Sequence, residues 1–152
     1  MMHKRMMALT ILMLTMAVSA GAATVFTATI DGAQAGTPSA ATGTATLTLN
    51  DAGTQVAYEI VFSGLDGVEG AAHFHNAGPG MNGPVMHGLA VGSPKVGVWN
   101  VTPLDVVELQ AGRVYVNIHT DIYATGEIRG NISFSSVSSE DATWSDIKNE
   151  YR

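Results

Sequence analysis

Apolar and polar side chains alternate in five separate segments of this chain, and that period of two predicts β-strands there. In Thr44–Asn50, every second residue is apolar and the residues between are threonines or asparagine. Strict alternation of this kind indicates a strand with one buried face. The same pattern recurs in Thr24–Ile30, Gln55–Phe62, Arg113–Thr120 and Glu127–Phe134.

Glycine-rich and proline-rich turns separate these segments at short intervals. Short alternating strands with frequent turns are typical of an antiparallel sandwich or barrel. We therefore expect an all-β Greek-key sandwich or barrel with about seven to eight strands. Pro103–Gln110 has the pattern of one short helical turn, and residues 76–94, with five glycines and three prolines, are expected to form a long loop.

The two ends of the chain differ from the alternating region. Met1–Ala20 has a basic start, an apolar run and small residues at its end, which is the pattern of a secretory signal peptide. We assign residues 21–134 to the folded domain. Residues 135–152 are interpreted as a polar linker and a tail with a short C-terminal helix. These features predict a protein that is periplasmic or secreted after cleavage of its signal peptide.

Charge and cysteine content exclude several classes of function. The chain has no cysteine, which excludes disulfides, thiolate zinc sites and iron–sulfur clusters. Removal of Lys4 and Arg5 with the signal leaves five of seven basic residues against thirteen acidic ones, a net charge of −8. An acidic domain lacks the basic face that a nucleic-acid-binding protein needs. We expect no nucleic-acid partner and no membrane span in the mature protein.

Four histidines are the most informative residues of the predicted domain. His73 and His75 are two apart on a short strand, so both imidazoles lie on one face and Phe74 lies on the other. His119 shares the polar face of its own strand with Asn117. If the two strands are neighbours, the three imidazoles converge. His87 lies in the predicted loop. We expect this loop to fold back over the three imidazoles, so that His87 becomes a fourth ligand.

Imidazole without thiolate is consistent with a copper or a zinc site. We predict a metal bound by His73, His75, His119 and His87, with copper favoured and zinc as the alternative. Asn117, Glu127 and Arg129 are expected to orient the imidazoles. No catalytic residue is assigned. The alternative without a metal is an extracellular interaction or adhesion module whose partner is another extracytoplasmic protein.

Two segments resemble the CHRD domain, a family named for its occurrence in chordin. The first half of that domain resembles Ala72–Gly78 together with Asn82–Val85, and the second resembles Gly112–Thr120 followed by Gly126–Gly130. The similarity extends over about residues 25–134. It implies a secreted or extracellular domain.

The order of the histidines is more loosely similar to that of Cu/Zn superoxide dismutase. That family also has two histidines on one strand, one in the following loop and one on a late strand, which correspond here to His73, His75, His87 and His119. The resemblance implies a dismutase-like barrel. We predict a binding protein rather than an enzyme, with a copper-dependent oxidoreductase of the dismutase type as the alternative.

Overall fold

The computed structural model describes residues 23–137. The predicted signal peptide and the predicted C-terminal helix lie outside these residues. Eight strands and two short helices are described, which we label in chain order: β1 (Thr24–Asp31), α1 (Gly32–Ala35), β2 (Thr42–Leu49), β3 (Gln55–Ser63), β4 (Glu69–Asn76), β5 (Val85–Leu89), β6 (Lys95–Asn100), α2 (Pro103–Gln110), β7 (Val114–Thr120) and β8 (Ile128–Val137).

All eight strands belong to one antiparallel sheet with the order β5-β4-β7-β8-β1-β2-β3-β6. β1, β2 and β3 are neighbours in sequence, whereas β4, β7 and β8 come together through longer connections. The all-β antiparallel architecture expected from the alternation is therefore confirmed, with a strand number inside the expected range.

The sheet curls until its two end strands, β5 and β6, meet through side chains. Phe74 of β4 stacks on Trp99 of β6 with ring centroids 5.5 Å apart, and His87 of β5 stacks on the same indole at 5.6 Å. The result is a nearly closed barrel around one hydrophobic core. Its fully buried side chains include Phe26, Ile30, Leu47, Ile60, Val116, Ile118, Ile128 and Ile132.

The helical turn predicted at Pro103–Gln110 is confirmed as α2. Thr102 and Asp105 form a capping box, in which each side chain accepts a hydrogen bond from the backbone N–H of the other, at 3.2 and 2.8 Å. Pro103 follows at the first helical position, where it loses no hydrogen bond. Neither described helix is long and apolar enough to cross a membrane.

Three boundaries differ from the sequence-based expectation. α1 forms in the connection between the first two alternating segments, where no helix was predicted, because the Asp31 carboxylate accepts a hydrogen bond from Gln34 N and caps a single helical turn. β5 forms inside the long loop predicted at residues 76–94 and pairs with β4. β8 continues through residues 135–137 beside β1, so these residues extend the domain instead of beginning a polar linker.

Candidate metal centre

The pairing of β4 with β7 brings the polar faces of both strands together. His73 lies directly opposite Asn117, Ala71 opposite His119, and His75 opposite Tyr115. Side chains of opposed residues point to the same face of an antiparallel pair. The three histidines therefore gather on the face of β4 opposite to Phe74, as the period-two pattern predicts.

One ring nitrogen from each of His73, His75 and His119 lies within 4.8 Å of one from each of the others. The ring centroids of His73 and His119 are 5.2 Å apart, and those of His73 and His75 are 5.5 Å apart. His75 is only 9% exposed, and His73 and His119 are half-buried. Residues 77–84 and 121–126 contact the cluster through the carbonyl oxygens of Gly83 and Ala124.

Backbone carbonyls fix the tautomers of two of these histidines. Nδ1 of His75 lies 3.0 Å from the carbonyl oxygen of Gly83, and Nδ1 of His119 lies 3.0 Å from that of Ala124. A carbonyl oxygen only accepts, so in each neutral ring Nδ1 carries the proton and Nε2 keeps its lone pair. Carbonyl partners of this kind are typical of metal-binding histidines.

One nitrogen atom of each ring is buried without a hydrogen-bond partner. They are His73 Nδ1, His75 Nε2 and His119 Nε2. Zinc and copper bind imidazole nitrogen at about 2.0–2.1 Å, so nitrogen ligands at the corners of a tetrahedron around one ion are about 3.4 Å apart. The three rings therefore have to move closer together to bind one ion, and the donor set of imidazoles fits either metal.

The electrostatic environment keeps two of these imidazoles neutral. Burial lowers the pKa of His73, and the nearby His119 and His75 lower it further. Burial also lowers the pKa of His75 and outweighs the opposing hydrogen bond to Gly83, with His119 and Arg129 adding to the decrease. A neutral imidazole is the form that binds a metal ion.

Tyr115 supports the cluster, although no sequence pattern identified it as a site residue. Its ring stacks on that of His75, with centroids 4.9 Å apart and an interplanar angle of 7°. The guanidinium carbon of Arg129 lies 3.5 Å from the centroid of the same phenol ring. Gly83 N donates a hydrogen bond to Tyr115 Oη at 3.2 Å. Tyr115 thus connects His75, Arg129 and the loop that covers the cluster.

Arg129 and Asn117 lie beside the cluster, as expected from the sequence. Arg129 donates hydrogen bonds to the carbonyl oxygens of Met81 and Gly78, at 2.8 and 3.1 Å, which fixes the loop over the histidines. Asn117 Nδ2 donates to the carbonyl oxygen of Thr125 at 2.9 Å, while its Oδ1 is buried without a partner. Neither side chain has a hydrogen bond to an imidazole, so both act on the cluster through neighbouring groups.

Glu127 does not contact the histidines, which corrects the expectation that it orients them. It precedes β8, and its fully buried carboxylate turns towards two neighbouring loops. Both carboxylate oxygens accept hydrogen bonds there, from Ser39 Oγ, Asp66 N, Gly67 N and Thr120 Oγ1. Its role is therefore to join loops at one end of the barrel.

His87 is also separate from the cluster, which corrects its assignment as a fourth ligand. It lies opposite Phe74 in the β4–β5 pairing, so it shares the face of Phe74 and not that of His73. There it packs among Tyr58, Phe74 and Trp99 at the junction of β5 and β6. The sequence could not show this, because the prediction treated residues 76–94 as a loop without a pairing register.

Comparison with known proteins identifies one family. The model of the CHRD domain matches residues 26–132, more than two thirds of the chain. No match was found among the curated proteins or among the solved structures. The match begins near the start of β1 and ends in β8, so it includes every residue of the histidine cluster.

Proposed function

The chain belongs to the CHRD domain family, and we propose that this member is an exported metal-binding domain. Its histidine cluster holds one copper ion, with zinc as the alternative, through His73, His75 and His119. The observation that carries this proposal is the convergence of three buried imidazole nitrogens that have no hydrogen-bond partner.

The cost of leaving these atoms unpaired supports a ligand. An unsatisfied buried polar atom costs about 1–3 kcal/mol. Within residues 23–137, the unpartnered buried side-chain atoms belong to the three clustered histidines and to Asn117, which lies opposite His73. A bound ion would accept the lone pairs of the three histidine nitrogens, which the fold leaves without a partner.

The donor set favours copper over zinc. It offers three imidazoles and no thiolate, and imidazole suits both ions. For a given set of such donors, divalent copper binds more tightly than divalent zinc. Three protein ligands leave a position open for water or another small ligand, which is the arrangement of exchange and catalytic sites.

The residues around the cluster would hold the ligands in place for the ion. The carbonyls of Gly83 and Ala124 fix the rings of His75 and His119, and Arg129 acts through Tyr115 on His75. CHRD domains are generally extracellular. Together with the signal-like sequence Met1–Ala20, this supports a periplasmic or secreted location.

Metal titration tests the proposal. Cu(II) and Zn(II) are titrated calorimetrically, in the presence of a competing chelator, into the parent chain and into His73→Ala/His119→Ala. His87→Ala is the matched control, because it removes a half-buried imidazole outside the cluster. All three proteins carry His3→Ala, so that no histidine of the amino-terminal segment contributes.

We expect one ion per chain in the parent and in the His87→Ala control. The double variant should lose about 100-fold or more in affinity, since metal sites depend steeply on their ligands. Nitrogen hyperfine coupling in the electron paramagnetic resonance spectrum of the copper-loaded parent should indicate imidazole ligation. Absence of binding in the parent, or equal binding in the double variant, would overturn the proposal and favour a metal-free interaction module.

A further inference from the structure

Arg129 is a buried cation without an acidic partner. The residue is only 4% exposed. Within residues 23–137 the two ion pairs are Lys95–Glu69 and Arg113–Glu108, and Arg129 belongs to neither. The carboxylate of Asp31, its cross-strand neighbour, accepts hydrogen bonds from Gln34 instead.

The groups that do contact Arg129 are all neutral. They are the phenol ring of Tyr115, the carbonyl oxygens of Met81 and Gly78, and the side-chain oxygens of Asn82 and Asn131. The contact from Nη1 to Asn82 Oδ1 is 3.5 Å long, which is the weakest of the set. Burial of a charge is unfavourable when only neutral groups surround it. Burial also lowers the pKa of this guanidinium, which agrees with an uncompensated charge.

A cavity of about 340 Å³ opens beside this guanidinium. It lies between α1, the loop that contains Gly80 and Asn82, and the β7–β8 pair. No acidic side chain lines it, although acidic residues outnumber basic ones by thirteen to seven in the whole chain. Gly36 and Gly80 leave open space at its wall, since a Cβ on either would meet no atom within 4 Å.

We propose that this cavity binds a small oxyanion, such as a monocarboxylate or hydrogen carbonate, with Arg129 as its countercharge. An oxygen of the anion replaces Asn82 Oδ1 as the acceptor of the long Nη1 contact. Asn117 lines the same cavity and is the cross-strand neighbour of His73. The anion therefore sits next to the histidine cluster, but its binding does not require a metal.

A titration of metal-free protein tests this inference separately from the metal site. Sodium formate and sodium hydrogen carbonate are added to the isotope-labelled full chain at constant ionic strength. The amide resonances of Gln34, Gly80 and Asn82 and the Nε–H resonance of Arg129 are followed. Sodium chloride in the same concentration range is the reference for general salt effects.

Asn82→Asp is the informative variant, because an exposed and nearly isosteric carboxylate then occupies the place of the anion. Asn100→Asp, at the end of β6, is the control with the same change in charge. We expect saturable shifts with the oxyanions in the parent, and a Kd raised about tenfold or more by Asn82→Asp but not by Asn100→Asp. Shifts that do not saturate, that chloride reproduces, or that Asn82→Asp leaves unchanged would overturn the inference.

Discussion

At the scale of single residues, two backbone carbonyls determine which ring nitrogen His75 and His119 present to the cluster. The carbonyls of Gly83 and Ala124 hold the Nδ1 protons of His75 and His119, so Nε2 of each ring faces the centre of the cluster. His73 has no such carbonyl partner and presents Nδ1 instead. An imidazole can bind a metal ion through either ring nitrogen. In His75 and His119 the carbonyl partner of Nδ1 leaves Nε2 as the nitrogen that can bind.

Glu127 shows how one charged residue can be fully buried and remain ionised. Burial opposes its charge, but hydrogen bonds from Asp66, Ser39, Thr120 and Gly67 outweigh that effect, and the pKa of Glu127 is lowered. A carboxyl whose pKa is lower in the folded state stabilises the fold above its unfolded pKa, near 4.3. That stabilisation is lost as the pH falls through the folded pKa.

We therefore expect Glu127→Gln to destabilise metal-free protein at pH 7 by about 1–3 kcal/mol, since buried donors lose a charged acceptor. The difference in free energy of unfolding between parent and variant should shrink as the pH falls below about 4.5. Urea unfolding at a series of pH values measures it. Contributions that are common to the parent and the variant cancel in this subtraction. A difference that does not depend on pH would show that Glu127 is not ionised in the fold.

At the scale of elements, the loop of residues 77–84 acts as a rigid cover for the cluster. It is held at both ends and in the middle, because Asn76 N donates to the carbonyl of Pro84 at 2.9 Å and Arg129 binds two of its carbonyls. Gly83 contributes both a donor to Tyr115 and the acceptor for His75. The position of this one glycine therefore determines how His75 is oriented.

Gly83→Ala tests the role of the cover. A Cβ at this position would lie 1.8 Å from the carbonyl oxygen of Asn76, so the backbone has to move and the hydrogen bond to His75 is displaced. We expect metal affinity to fall about tenfold or more. Gly70→Ala on β4 is the control, since a Cβ there meets no atom within 4 Å. Calorimetric titration with Cu(II) compares the two, and equal affinities would show that the loop does not position His75.

The alternation of side chains predicted the long strands because their two faces differ in polarity. β2 follows that pattern over most of its length, whereas β7 alternates in side-chain polarity but is buried on both faces. It failed for β5, a five-residue end strand that contains Gly88 and pairs only with β4. A short edge strand has one neighbour and little buried surface, so its sequence shows no clear period.

At the scale of the whole molecule, two properties of the site could be predicted. They are the strand face on which each histidine lies and, once a pairing is assumed, the strands that bring the histidines together. The faces of His73, His75 and His119 followed from the period of two, and their convergence followed once β4 and β7 were assumed to pair. The opposite placement of His87 depends on the register between β4 and β5, and the stack of Tyr115 depends on long-range packing. Neither leaves a local signal in the sequence.

Closure of the barrel also depends on contacts between distant segments. Lys95 at the start of β6 forms a buried ion pair with Glu69 at the start of β4, and the exposed fractions of the two side chains are 1% and 9%. The ammonium group also donates to the carbonyl of Ala90, and Glu69 Oε2 accepts from Gly92 N at 2.6 Å. The pair therefore joins β6 to β4 and to the connection between β5 and β6.

Removal of one partner should leave the other charge buried and uncompensated, which typically costs about 3–5 kcal/mol. We expect Lys95→Met to lower the free energy of unfolding by that amount, as measured by urea denaturation. Lys95→Met/Glu69→Gln should lose less free energy of unfolding than the sum of the losses in the two single variants, because the unpaired carboxylate is then absent.

Arg113→Met is the control. Arg113 is paired with Glu108 but its side chain is 49% exposed, so its loss should matter far less. If Lys95→Met destabilises the protein no more than Arg113→Met does, the aromatic stack around Trp99, and not the ion pair, holds the two ends of the sheet together.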